Sequence, residues 1–264
     1  MNIYKCYPEG KFKALTMSYD DGKEEDRRLV SIFNQHGIKG TFNLNSGLMD
    51  QPDKVHKEEI KDLYQGHEVA CHTYSHPTLE RCPMPLITEE IVKDRKELEK
   101  ILGYTVRGMA YPNGSYNKDI VKLLPLLGIE YGRIVGDTDS FGMPDDFLTW
   151  KATCHHNHNL IENAKRFAEA VKSQYLYLMY VWGHSYEFSM HQNWELIEEF
   201  SSYIGGRQDI WYTTNIEFVD YMNVLKNLKF SAASNMVYNP SAKSAWISVN
   251  GQIIEIKGGM LVNL

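Results

Sequence analysis

The run Leu15-Thr16-Met17-Ser18-Tyr19-Asp20-Asp21-Gly22 closes an apolar stretch on two adjacent carboxylates, with a glycine directly after. Like charges side by side at a strand end repel, unless a cation neutralises the pair or one member does proton chemistry. Further along, His72-Thr73-Tyr74-Ser75-His76 holds two imidazoles four positions apart. One carboxylate and two imidazoles form a three-donor set for a divalent metal, with a fourth position open as in hydrolytic sites. Zinc is the first expectation and cobalt or a neighbouring metal the alternative, since geometry and supply decide between them. His184, at the end of Trp182-Gly183-His184, follows another apolar run and joins the candidates. This chemistry points to a metal-dependent hydrolase.

Elements must hold these groups together. Phe12 to Ser18 reads as a strand, Glu24 to His36 as a helix and Gly40 to Asn45 as a strand. Val55 to Gln65 reads as a helix, and Glu68 to Cys71 as a strand running into the histidine pair. A helix from Thr88, its expected cap, to Leu102 is followed by Gly103. Strands are expected over Val106 to Tyr111, Glu130 to Val135, Tyr175 to Trp182 and Trp211 to Thr214. Helices are expected over Asn117 to Leu127, Leu160 to Ser173, Trp194 to Tyr203 and Asn215 to about Leu228. This alternation predicts an α/β fold: a distorted (β/α) barrel of about seven parallel strands, related to the TIM type, over residues 1–228. Asp20, Asp21, His72, Pro112 to Gly114 and His184 all follow strands, where such barrels carry their chemistry. A doubly wound sheet would bring a glycine-rich phosphate turn, which the chain lacks. Residues 229–264 have no helical period. Ala245 to Val249 and Gln252 to Ile256 flank Asn250-Gly251, which predicts a β-hairpin extension packed on the barrel.

The 264 residues carry a formal net charge of -6, which argues against a nucleic-acid footprint. No apolar stretch approaches a membrane span, so no membrane partner is expected. The first residues lack the apolar core of a signal peptide, so a cytoplasmic location is expected. Cys6, Cys71, Cys82 and Cys154 form no CxxC pair and read as reduced thiols. Cys71, beside His72 on a strand, should point to the opposite face.

The motifs together resemble the polysaccharide deacetylase family, carbohydrate esterase family four, over roughly residues 10 to 225. Ser18-Tyr19-Asp20-Asp21-Gly22 is similar to its first motif, and Gly66-His67-Glu68-Val69-Ala70-Cys71-His72-Thr73-Tyr74-Ser75-His76 to its second. Tyr111-Pro112-Asn113-Gly114 and Trp182-Gly183-His184 resemble later ones. The resemblance implies that Asp21, His72 and His76 bind the metal and that Asp20 is the general base. It implies His184 as the acid for the leaving amine and the Asn113 N–H as an oxyanion donor, with Tyr111, Pro112, Gly114 and Trp150 near the substrate. The chain departs from the family where many members carry an arginine two residues before the proline. Ala110 stands there, and Arg107 lies in another register. The family motif with the acidic residue that tunes the acid histidine is matched only loosely, with Asp145-Asp146 and Trp150 as its candidates.

The implied substrate is an N- or O-acetylated carbohydrate. A cyclic imide or ureide is the alternative small amide, and a non-catalytic carbohydrate-binding relative is the reading from another class. Oligomeric state is open. Cys154-His155-His156-Asn157-His158 reads as a solvated loop beside the cleft. Tyr186, Phe188 and Trp150 could form a platform for a sugar. His36, His56, His67 and His191 read as structural or surface residues.

Overall fold

The structure, a computed structural model, describes residues 2–264 apart from Asp50. The first half runs β1 (Ile3–Cys6), β2 (Lys13–Asp20), α1 (Asp26–His36), β3 (Gly40–Leu44), α2 (Ile60–Leu63), β4 (Glu68–Cys71), α3 (Met84–Leu102), β5 (Gly108–Ala110) and α4 (Lys118–Leu126). Then follow β6 (Tyr131–Asp137), β7 (Trp150–Ala152), β8 (Cys154–His155), α5 (Leu160–Ala168), β9 (Tyr177–His184), α6 (Tyr186–Met190), α7 (Trp194–Ile204), β10 (Ile210–Tyr212) and α8 (Asn215–Asn227). The chain ends in β11 (Lys229–Phe230), β12 (Met236–Tyr238), β13 (Ala245–Val249), β14 (Gln252–Ile256) and β15 (Leu261–Asn263).

Strand β2 organises the barrel. It pairs in parallel with β9 along its whole length, with β3 over Met17–Asp20 and with β10 over Lys13–Leu15. Its side chains alternate between two environments. Leu15, Met17 and Tyr19 join the core shared with the outer helices, while Ala14 joins the core containing Tyr131, Trp150 and Tyr180. Parallel pairing continues from β3 through β4, β5 and β6 to β7. The ring is completed by a broken strand: β7 pairs with β6, β8 pairs with β9, and Thr153 between them donates its N–H to Tyr180 O at 2.7 Å. This gives the seven parallel strands expected, with short β10 added beside β2.

The start of α8 plugs one end of the barrel. Its Thr214 and Glu217 form a capping box. The N–H of Asn215 reaches Thr41 Oγ1 at 3.0 Å and that of Ile216 reaches Glu68 Oε2 at 2.8 Å. Tyr131 donates to Glu68 Oε1 at 2.8 Å, and Asn215 Nδ2 to the Tyr180 hydroxyl at 2.8 Å. Burial pushes the Glu68 carboxyl up to about 7, against hydrogen bonds that favour its charge.

Several elements differ from expectation. The helix expected over Val55 to Gln65 shrinks to α2, because Lys54 and Val55 are drawn to the Asp21 loop. Lys54 Nζ donates to Asp21 O at 2.6 Å and Val55 N to Gly22 O at 2.9 Å. Helix α3 begins at Met84 behind Pro83, and Thr88 is not its cap but donates back to Met84 O at 3.0 Å. Helix α5 stops at Ala168. The hairpin β13–β14 turns at Asn250 (φ 50) and Gly251 (φ 88), both left-handed as a tight primed turn requires. Strand β1 adds to it through β13, and β11, β12 and β15 form a second antiparallel sheet. Val237, Ala245, Ile247 and Ile256 share a core cluster with Phe218 of α8 and with barrel residues.

Candidate active site

Asp20 ends β2 and Asp21 begins the following loop with φ 78, a left-handed backbone uncommon outside glycine. Gly22 also has positive φ, and a Cβ there would lie 2.7 Å from Leu44. His72 follows β4, with Thr73 (φ 63) and His76 (φ 59) bending the loop after it. Strained backbone of this kind persists only where its surroundings fix it. Here α3 does so: Ser75 N and Oγ both donate to Glu90 at 2.7 Å, and His72 N donates to Asp94 Oδ2 at 3.0 Å. Asn45 Nδ2 donates to Thr73 O at 3.0 Å.

These loops converge. Nε2 of His72 and Nε2 of His76 lie 3.9 and 3.8 Å from Asp21 Oδ1. Such spacings suit donors about 2.0–2.2 Å from one shared ion. His72 Nδ1 lies 2.9 Å from Ala110 O, and a carbonyl can only accept, so Nδ1 carries the proton and Nε2 presents its lone pair. Burial lowers the His72 pKa to about 4, despite Asp20 and Asp21, keeping the ring neutral as a ligand must be. The donor set therefore fits a divalent ion.

Asp20 is buried beside this set, with Oδ2 3.8 Å from His72 Nε2. Asn43 Nδ2 donates to its Oδ1 at 2.9 Å, and Arg133 of β6 forms a short ion pair with Oδ2. Burial alone would raise the Asp20 pKa. The Arg133 charge above all, with His184 behind it, outweighs burial and holds the carboxyl at about 2. Arg133 is wholly buried, and its guanidinium lies 4.6 Å from the centre of the Trp182 ring. It therefore pairs with Asp20 from β6, where β5 offers only Ala110.

His184 ends β9 with Nε2 3.9 Å from Asp20 Oδ2 and 4.0 Å from Asp21 Oδ2. Its Nδ1 lies 3.3 Å from Glu187 Oε1. Burial works to lower the His184 pKa, but Glu187, Asp20 and Asp21 raise it above the ordinary value.

The turn Pro112–Gly114 follows β5 with Asn113 exposed at φ 56, and Asn113 Nδ2 donates to Thr78 Oγ1 at 3.2 Å. That bond ties the turn to the loop beyond His76. Two expected substrate contacts are misplaced. The Tyr111 ring is buried in the helix-side core, with its hydroxyl donating to Leu148 O at 2.8 Å. Trp150 is 1 % exposed inside the barrel, packed on Tyr131, Phe147, Tyr180 and Phe218. A ring sealed in this way cannot stack on a sugar. Phe188 is also fully buried, so only Tyr186 of the expected platform reaches the mouth. There it borders a cavity of about 490 Å³ with Asp21, Lys23, Glu25, Gln51 and His76. Asp145 and Asp146 line a different cavity and do not approach His184.

The histidine run is not a solvated loop. His155 lies in β8, His155 and His156 are both buried, and both face Glu187. His158 alone is exposed, with Nδ1 2.6 Å from Asp137 Oδ2. Sequence reading missed Arg133, Asn43 and Glu187. The available signals were a lone arginine inside the apolar strand Tyr131–Asp137 and a glutamate one helical turn after His184.

Residues 8–132 match the model of a family described as polysaccharide deacetylase, a stretch that contains Asp20, Asp21, His72, His76 and Asn113. The chain is 31% identical over 149 residues to the chitin deacetylase of Arthroderma benhamiae, covering 52% of this chain and 36% of that protein. It is 27% identical over 122 residues to the peptidoglycan-N-acetylglucosamine deacetylase PgdA of Listeria monocytogenes, covering 45% and 25%. The chain thus spans well under half the length of these curated relatives. In fold it resembles a candidate polysaccharide deacetylase from Mycobacterium smegmatis, with TM-score 0.64, 17% identity and coverage of 84% and 94%. It also resembles a CE4 family pseudoenzyme from Bacillus anthracis, with TM-score 0.51, 18% identity and coverage of 82% and 68%.

Proposed function

We propose that this chain, whose residues 8–132 match the polysaccharide deacetylase model, hydrolyses the acetyl group of an acetylated carbohydrate. The observation that carries the reading is the convergence of Asp21, His72 and His76 beside two further titratable groups, Asp20 and His184, which a metal alone does not require.

Asp21, His72 and His76 would hold a divalent ion, zinc first. When bound, such an ion supplies Lewis-acid polarisation of the acyl oxygen and eases deprotonation of water. Asp20 is the base. Arg133 and Asn43 keep its carboxylate ionised and aimed at the mouth, where it takes a proton from the attacking water. His184 is the acid, with Nε2 across the mouth from Asp20; Glu187, Asp20 and Asp21 favour its protonated form against burial. As the acyl carbon–nitrogen bond breaks, Nε2 gives its proton to the amine. The Asn113 N–H, on a turn fixed to Thr78, is the oxyanion donor. The open cavity beside Tyr186 receives the sugar.

The test is metal content together with acetate release from N-acetylglucosamine oligomers and acetylated xylan, with and without chelator. Near one equivalent of metal and chelator-sensitive acetate release is expected, with Asp20→Asn keeping metal and losing turnover. Metal binding without acetate release from either substrate overturns the reading, as does turnover that survives in Asp20→Asn.

A further inference from the structure

Outside the metal set, one carboxylate collects three imidazoles. Glu187 Oε2 lies 3.1 Å from Nε2 of His155 and 3.1 Å from Nε2 of His156, while Oε1 lies 3.3 Å from Nδ1 of His184. His156 is fully buried, stacked between Tyr19 and Phe188 with ring centres 5.7 and 4.2 Å away. Apart from Glu187, neither nitrogen of His156 meets a polar partner among the described residues. A polar ring is costly to bury unless its one contact matters. Gly183 makes the space: a Cβ there would lie 2.0 Å from His156 Nδ1.

Two nitrogens and an oxygen this close could also hold a second metal ion. His155 argues against that. Its Nδ1 accepts the N–H of Asn157 at 3.2 Å, so the neutral ring carries its proton on Nε2, aimed at Glu187. No lone pair is left there for a metal.

We propose that Glu187 is the positioning residue for His184, held in place by the Nε2–H groups of His155 and His156. Its Oε1 faces Nδ1 of His184 at 3.3 Å, a charge contact rather than an aligned hydrogen bond, which favours the proton on Nδ1 and directs Nε2 at the mouth, toward Asp20 and Asp21. The proposal rests on the reading of His184 as proton donor. In that step the amine nitrogen gains the Nε2 proton as its bond to the acyl carbon breaks. His184 is left neutral with Nδ1–H still facing Glu187, and a solvent proton restores Nε2.

Glu187→Gln keeps the shape and removes the charge. It is compared with the unaltered protein, both zinc-loaded, on two substrates. An N-acetylglucosamine oligomer has an amine leaving group that needs a proton. The leaving group of 4-nitrophenyl acetate departs as phenolate without one. For the oligomer kcat should fall about tenfold to hundredfold with KM nearly unchanged, while ester turnover is nearly unchanged. His155→Gln should lower kcat in the same direction. Equal losses on both substrates, or no loss on the oligomer, overturn the proposal. A second zinc equivalent that Glu187→Gln removes also overturns it, in favour of a second metal ion. Ring nitrogen NMR at fixed pH supplies an arm independent of turnover: the His184 and His155 signals should move in Glu187→Gln, and unmoved signals overturn the proposal. A protein that hydrolyses neither substrate refutes the proton-donor reading instead, and the ring signals then decide whether Glu187 holds the imidazoles.

Discussion

Arg133 and Asp20 form a charge pair inside the barrel, with Arg133 wholly buried and Asp20 3 % exposed. Arg133→Met removes the cation and leaves Asp20 with Asn43 as its hydrogen-bond donor. The Asp20 pKa stands at about 2 against an ordinary 3.8, a difference equivalent to about 2 kcal/mol of net stabilisation. Breaking a buried pair on one side costs more, about 3 to 5 kcal/mol, because the surviving charge stays buried. For a chain of this size that lowers Tm by roughly 10 °C. The sign in pH follows from the depressed pKa. The pair's contribution is present above pH 3.8 and is lost as pH falls through about 2. The assay is a double-mutant cycle of Arg133→Met and Asp20→Asn, with stability read by urea unfolding near pH 7 in chelator, so that bound metal adds nothing. A coupling of about 2 kcal/mol or more is expected. Costs that add to within about 0.5 kcal/mol would refute the argument that Arg133 acts through Asp20.

Glu68 has its folded pKa raised to about 7 from an ordinary 4.5. Its contribution is therefore fully present below pH 4.5 and is lost as pH rises through about 7, about 3 kcal/mol in all. Urea midpoints from pH 5 to 8 should fall more steeply for the unaltered protein than for Glu68→Gln, and parallel curves would contradict this. Gly108→Ala drives a Cβ to within 2.0 Å of the Tyr131 ring, which Glu68 and Trp150 hold in place. Overpacking should cost roughly 1 to 3 kcal/mol, read as a lower urea midpoint; no change would mean the ring can step aside. Thr214→Ala breaks the capping box of α8 and should cost about 1 kcal/mol in the same assay.

The residues legible in the sequence were those whose role is written in a short stretch of chain. Asp20 with Asp21, His72 with His76, and His184 each close or follow a strand, and barrel topology brings strand ends of one direction together. Arg133 could not be assigned this way. Its partner is decided by strands crossing the barrel, and a guanidinium can reach Asp20 from β6 when β5 supplies Ala110. Glu187 was hidden because its meaning depends on β8 lying beside β9, and β8 has only two residues, too few for a periodicity to show. Tyr111 and Trp150 misled for the opposite reason. Both belong to segments next to the site, but the strand's alternation turns Tyr111 into the helix-side core and seals Trp150 in the barrel.

The pairing of β1 with β13 sets an order of events during synthesis. Asn2 N donates to Asn250 Oδ1 at 2.9 Å, a contact between residues 248 positions apart. At ribosomal speeds, strand Ile3–Cys6 waits roughly 10 to 50 seconds for its neighbour to be made. The site histidines and aspartates all emerge earlier, so the pocket can assemble while this seam is still open. Losing either β1 or β13 opens the same small sheet. Damage at residue 5 and damage at residue 247 should therefore look alike to a protease, because Lys5 and Ile247 are opposite each other in the ladder.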